Sequence, residues 1–166
     1  MIDLILNDAI PQTCFSSLTT DTVNSAGRDI KLGGNCTWIN INNIQCPNYG
    51  QMNWSVHDTK ESADLSIQNQ LKGRKIKNGG KVVSEEDVAI IFENVPTKAK
   101  KELYDFTGVT SLLASMSDGK NLTISYISEK VSDNYVSCIL SFWNNDYINP
   151  SGLPAFLEEV MKLAEK

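Results

Sequence analysis

Apolar and polar residues alternate along several stretches of this chain, the period of strands half-buried in a sheet. Residues 36–46 are rich in β-branched and aromatic types (Thr37, Trp38, Ile39, Ile41, Ile44). Asn42-Asn43 offers a turn there, and Pro47-Asn48-Tyr49-Gly50 a stronger one. Met52, Trp54 and Val56 then alternate with polar neighbours. Val88 to Val95 reads as a strand with Ile90 and Phe92 on one face, and Leu103 to Phe106 begins another after a loop at Pro96–Lys101. Asp118-Gly119 predicts a two-residue hairpin turn, whose residues both need positive φ; it would pair Leu113 with Ile124 and Ser111 with Tyr126. Tyr135 to Trp143 carries Val136, Cys138, Leu140 and Phe142 on one face and Tyr135, Ile139 and Trp143 on the other. Neither face of these strands is wholly polar, so the sheet is expected to be partly covered on both sides.

Two segments change period. Ala63, Ile67 and Leu71, with Leu65 at the margin, predict a helix over residues 59–72. Asp58 and Glu61 have capping-box spacing at its start and Gly73 would stop it. So narrow a stripe suits a helix laid on a sheet. Leu153, Phe156, Leu157, Val160, Met161 and Ala164 predict a C-terminal helix over 153–165, with Pro154 in its first turn. The pattern therefore specifies one α+β domain over residues 1–166, a mostly antiparallel sheet with a middle and a C-terminal helix packed on it. Residues 1–27, broken by Pro11 and a Ser/Thr-rich stretch, read as a less regular N-terminal segment.

At 166 residues with 41% hydrophobic and 21% charged positions, the chain can bury a core without metal or disulfide staples. Net charge is −5, which argues against nonspecific nucleic-acid binding, since that needs a basic surface to displace phosphate counterions. No apolar run approaches the roughly 20 residues of a membrane span. Arginine occurs only at Arg28 and Arg74 while Lys, Asn and Ile are abundant, a usage associated with AT-rich bacterial genomes. The sequons at Asn35, Asn53 and Asn121 are no more than this composition produces by chance.

Cys14, Cys36, Cys46 and Cys138 form no C-x-x-C pair, so no zinc or thioredoxin-like site is expected. Cys36 and Cys46 flank a segment that could close a small disulfide loop, whereas Cys138 lies on an apolar strand face, as an inert buried thiol would. These features favour a periplasmic, secreted or surface protein whose export signal has been removed, with a cytoplasmic protein as the alternative. Residues 1–10 lack the basic start and apolar length of a signal peptide.

Candidate chemistry is sparse. The single histidine, His57, ends a predicted strand before a helix start and is read as a surface residue. Glu85, Glu86 and Asp87 read as a solvated turn before a strand rather than a carboxylate pair. Lys72, Arg74, Lys75, Lys77 and Lys81 with Lys98, Lys100 and Lys101 would form an anion site only if their loops converged. Trp38 and Trp54 read as core. Trp143 and Tyr147 flank Asn144, Asn145 and Asp146, and this loop is the expected recognition edge. The expectation is a non-catalytic binding domain without cofactor or metal, facing a protein or small ligand, in its specific form an antagonist or immunity-type protein. The alternative is a hydrolase with a cysteine- or carboxylate-based site assembled across strands.

Overall fold

A computed structural model of the chain describes residues 19–25, 27–77, 80–106 and 119–164, with the backbone alone at 33, 34 and 74–77. Its strands are β1 (Thr19–Ser25), β2 (Arg28–Asn40), β3 (Asn43–Cys46), β4 (Gly50–His57), β5 (Lys81–Phe92), β6 (Val95–Asp105), β7 (Asn121–Val131), β8 (Asn134–Trp143) and β9 (Met161–Leu163). They hydrogen-bond in the order β1-β2-β3-β4-β8-β7-β6-β5-β9, every pair antiparallel. Two meanders thus meet where β4 pairs β8, and α1 (Lys60–Lys77) carries the chain between them. The sheet curls into a half-barrel.

Each side of the sheet is covered, as the two-faced strands require. Val136, Cys138, Leu140 and Phe142 of β8 face one core, which takes residues from all nine strands, from Val23 of β1 to Met161 of β9. Ile139 and Trp143 face the other, where Ile67 and Leu71 of α1 meet Tyr104, Phe106, Ile124 and Tyr126. Leu65 is exposed, as expected of the stripe's margin. Thr59, whose Oγ1 accepts the Ser62 N–H, caps the helix in place of Asp58. The helix also runs through Gly73, around which nothing crowds and where φ stays in the ordinary range, to Lys77.

The predicted C-terminal helix is corrected. Only α2 (Ala155–Glu158) is helical, and Met161–Leu163 is strand β9, pairing Phe92 with Met161 and Ile90 with Leu163. The predicted burial is right, for Leu153, Phe156, Leu157, Val160 and Met161 are all buried. An isolated helix of this length is marginal, and the open edge of β5 offers the backbone an alternative set of hydrogen bonds. Residues 96–101 belong to β6, not a loop, because Glu93 (φ 48°) and Asn94 (φ 67°) form a two-residue hairpin turn. Glu85, Glu86 and Asp87 accordingly lie inside β5. Residues 107–118, including most of the hairpin predicted around Asp118-Gly119, are outside the described residues. Ile124 and Tyr126, its expected pairing partners, have β6 on one edge and β8 on the other.

Cys36 and Cys46 form a disulfide across β2 and β3, one pair beyond Thr37–Gln45 in register. Gly50 (φ 96°) closes the following turn, and a Cβ there would lie 2.7 Å from the Ser141 carbonyl oxygen. Replacing both cysteines by serine should lower unfolding free energy by about 2–3 kcal/mol. Urea denaturation checks this; equal midpoints for the oxidised and serine proteins would refute it. Gly50→Ala should cost about 1–3 kcal/mol from strained backbone alone, with the carbonyl clash added, read from the same denaturation curves.

Candidate functional site

The expected recognition edge, Trp143 to Tyr147, divides into buried supports and an exposed tip. Trp143 packs its ring 5.2 Å from Phe106 and belongs to the α1-side core, so it anchors the loop rather than presenting a free surface. Asn144 Oδ1 accepts the N–H groups of Lys120 and Asn121, each at 2.9 Å, and its own N–H donates to the Asn121 carbonyl. Asn145 is exposed beside Gly119, where an added Cβ would come within 2.6 Å of its Oδ1. Asp146 accepts the Trp143 N–H at 2.7 Å and returns its own N–H to the Trp143 carbonyl. These bonds tie the loop shut on itself.

Tyr147 is the tip, 63% exposed. Its N–H donates to the Asn48 carbonyl at 2.7 Å, and its ring lies 5.4 Å from Tyr49, which packs on the main core. Ile148, also exposed, continues the surface. Tertiary structure therefore joins the 144–148 loop to the Pro47–Tyr49 turn, and that turn starts at disulfide-bonded Cys46. Trp38 and Trp54, 6.0 Å apart, belong to the core as expected.

The same loop, at Ser151 and Leu153, walls an open cleft of about 880 Å³ between the two ends of the curled sheet. At its rim Arg28 of β2 donates Nε to Glu93 Oε2 at 2.6 Å and Nη2 to the Glu159 carbonyl. The Glu93 side chain is only 3% exposed, and its charge adds to burial in pushing the Cys138 thiol up. Arg28 and Glu93 were missed by sequence reasoning. The one hint was arginine scarcity, since nothing local links positions 65 residues apart.

Other candidate groups are dispersed. His57 meets Ser62 Oγ through Nδ1 (3.1 Å) and Ser137 Oγ through Nε2 (2.9 Å), and Ser137 in turn bonds Ser66. This hydroxyl chain docks α1 on β4 and β8. Cys138 points to the opposite face from neighbouring Ser137, so the sheet separates its thiol from the imidazole, and Cys36 and Cys46 are oxidised. Lys100 and Lys101 are spent on Glu85 (2.6 Å) and Glu86 (3.1 Å) across the β5–β6 pair. Among the described residues no group of His, Cys, Asp and Glu has metal-binding geometry, and no helix is long and apolar enough to cross a membrane.

Burial raises the Asp146 carboxyl above the usual aspartate range, although the Trp143 N–H opposes this. A raised acid holds its proton in the folded state at pH values where the unfolded chain has released it. Stability from this residue is thus present below the unfolded value and lost as pH rises through the folded one. Carboxyl NMR titration should find Asp146 above its unfolded-peptide value, and Asp146→Asn should flatten that part of the pH–stability curve. A depressed value would refute the assignment.

Comparison with protein-family models, with curated proteins and with solved structures found no match for this chain.

Proposed function

We propose that this chain is a non-catalytic binding domain, of bacterial origin and acting outside the reducing cytoplasm, that engages a protein partner through the Tyr49–Tyr147–Ile148 edge. The observation that carries this reading is the exposed Tyr147 ring held against Tyr49 on two loops that are both tied down. A tyrosine presents wide, rigid, amphipathic contact area at little entropic cost, which is why such residues dominate binding hot spots. The disulfide at Cys46 and the closed hydrogen bonding of residues 143–146 hold the tip in place before a partner arrives. The disulfide supports an oxidising compartment. A net charge of −5 suits a basic partner, as an antagonist or immunity-type protein would need.

The test is capture of a partner from an extract of the producing cells, followed by affinity measurement on the purified pair. Tyr147→Ala should leave stability within about 0.5 kcal/mol, as exposed positions do. It should weaken binding by about 2 kcal/mol, roughly 30-fold. Equal affinity of the wild-type and Tyr147→Ala proteins would overturn the assignment of this edge.

A further inference from the structure

We propose that the outward face of β2, β3 and β4 binds an extended, neutral oligosaccharide of β-1,4-linked hexopyranoses. No Asp, Glu, Lys or Arg occurs between Lys31 and Asp58, nor between Asp133 and Asp146, although 21% of the chain is charged. Those two stretches hold β3, β4, β8 and the end of β2 that pairs with β3. Exposed sheet surface ordinarily carries charge, which keeps it soluble and blocks unwanted pairing. A sheet face without any suits a partner that is itself uncharged.

The register arranges that face. Ile44, Met52, Trp54 and Leu140 enter the main core, so their neighbours along each strand point outward. Thr37, Gln45, Gln51 and Ser141 stand opposite one another across four adjacent strands, a row of hydroxyl and amide groups at about 4.8 Å intervals. Asn43, Asn53 and Ile139 form a second row beside it. Gln51 Nε2 donates to Asn43 Oδ1 at 2.8 Å and so fixes the rows to each other. Over β6 to β8 the same face is covered by α1, whereas Gln45 and Ile39 stay exposed.

The side chains set the ligand class. Asparagine is poorly suited to strands, yet Asn43 and Asn53 are direct cross-strand partners. Such a departure from local preference is the kind that marks functional sites. An amide presents donor and acceptor together, as a sugar hydroxyl does, so each can satisfy the other. A protein partner would call for aromatic or arginine anchors, and neither row contains one. Ile39 and Ile139 supply apolar contact for the C–H face of a sugar ring. Even steps from strand to strand fit an extended chain better than a coiled one. This site is separate from the tyrosine edge and does not depend on it.

The test titrates the whole protein with cellohexaose and follows amide NMR shifts. Maltohexaose serves as the coiled isomer and a β-1,4-linked mannuronate hexamer as the charged counterpart. Saturable shifts at Thr37, Gln45, Gln51 and Asn53 are expected with cellohexaose, at a Kd about tenfold below that of either control. Gln45→Ala should raise that Kd about tenfold, as one or two lost hydrogen bonds would. Its urea midpoint should not move, because Gln45 is exposed. Tyr147→Ala should bind cellohexaose unchanged. No saturable shift, shifts away from the two rows, equal affinity for either control, or an unaffected Gln45→Ala protein would overturn the proposal. So would shifts at the same residues on concentrating the protein without sugar, which would give the face to a second copy.

Discussion

One concave apolar face runs through every strand of the sheet, and the fold depends on bringing its two ends together. Val23 and Ile30 from one end share a core with Ile90, Phe92 and Met161 from the other. Among the described residues backbone hydrogen bonds do not close that gap, for β1 and β9 are the outermost of the described strands and do not pair with each other. Side chains and the C-terminal segment close it instead. Leu153, Phe156, Leu157 and Val160 fill the opening, while Arg28 bridges Glu93 and the Glu159 carbonyl. The burial is the larger stabilising term, and the ion pair sets where the ends meet; breaking one partner would leave a buried charge uncompensated.

That closure sorts the polar chemistry of the molecule. His57, Ser62, Ser66 and Ser137 work on the helix-covered side, where hydroxyl–imidazole bonds fasten α1 to the sheet. Cys138 lies on the other side, buried among apolar neighbours. Glu85 and Glu86 neutralise Lys100 and Lys101 on an exposed stretch of β5 and β6. The exposed edge at Tyr147 and the cleft beside Arg28 flank the same 144–154 connection.

Residue types single out the 143–147 loop, but not how its members divide between core and surface. Trp143 and Tyr147 look equivalent in the sequence, as aromatics bracketing a polar loop. The structure makes one a core anchor and the other an exposed tip, because Trp143 still belongs to β8 and points at Phe106. Tyr49 is one of five tyrosines, and nothing local pairs it with Tyr147; a backbone bond from Tyr147 to Asn48 does. The Glu93–Asn94 turn is hidden in the sequence for a different reason. Glutamate rarely occupies a positive-φ turn position, so turn chemistry gave no signal, and Pro96 suggested a loop where it stands at the start of a strand.

By itself, the order of apolar and polar residues determined that this chain is α+β, that its sheet is antiparallel with both faces covered, that a helix with a narrow apolar stripe lies over residues 59–72, and which residues of β8 enter which of the two cores. Those properties follow from local periodicity, which burial reads directly. Only the tertiary structure decided the strand order, the conversion of a predicted terminal helix into one turn and a strand, and the meeting of Arg28 with Glu93. Each depends on which edges and buried groups remain unsatisfied after local structure has formed, and that is a property of partners distant in the chain rather than of neighbours along it.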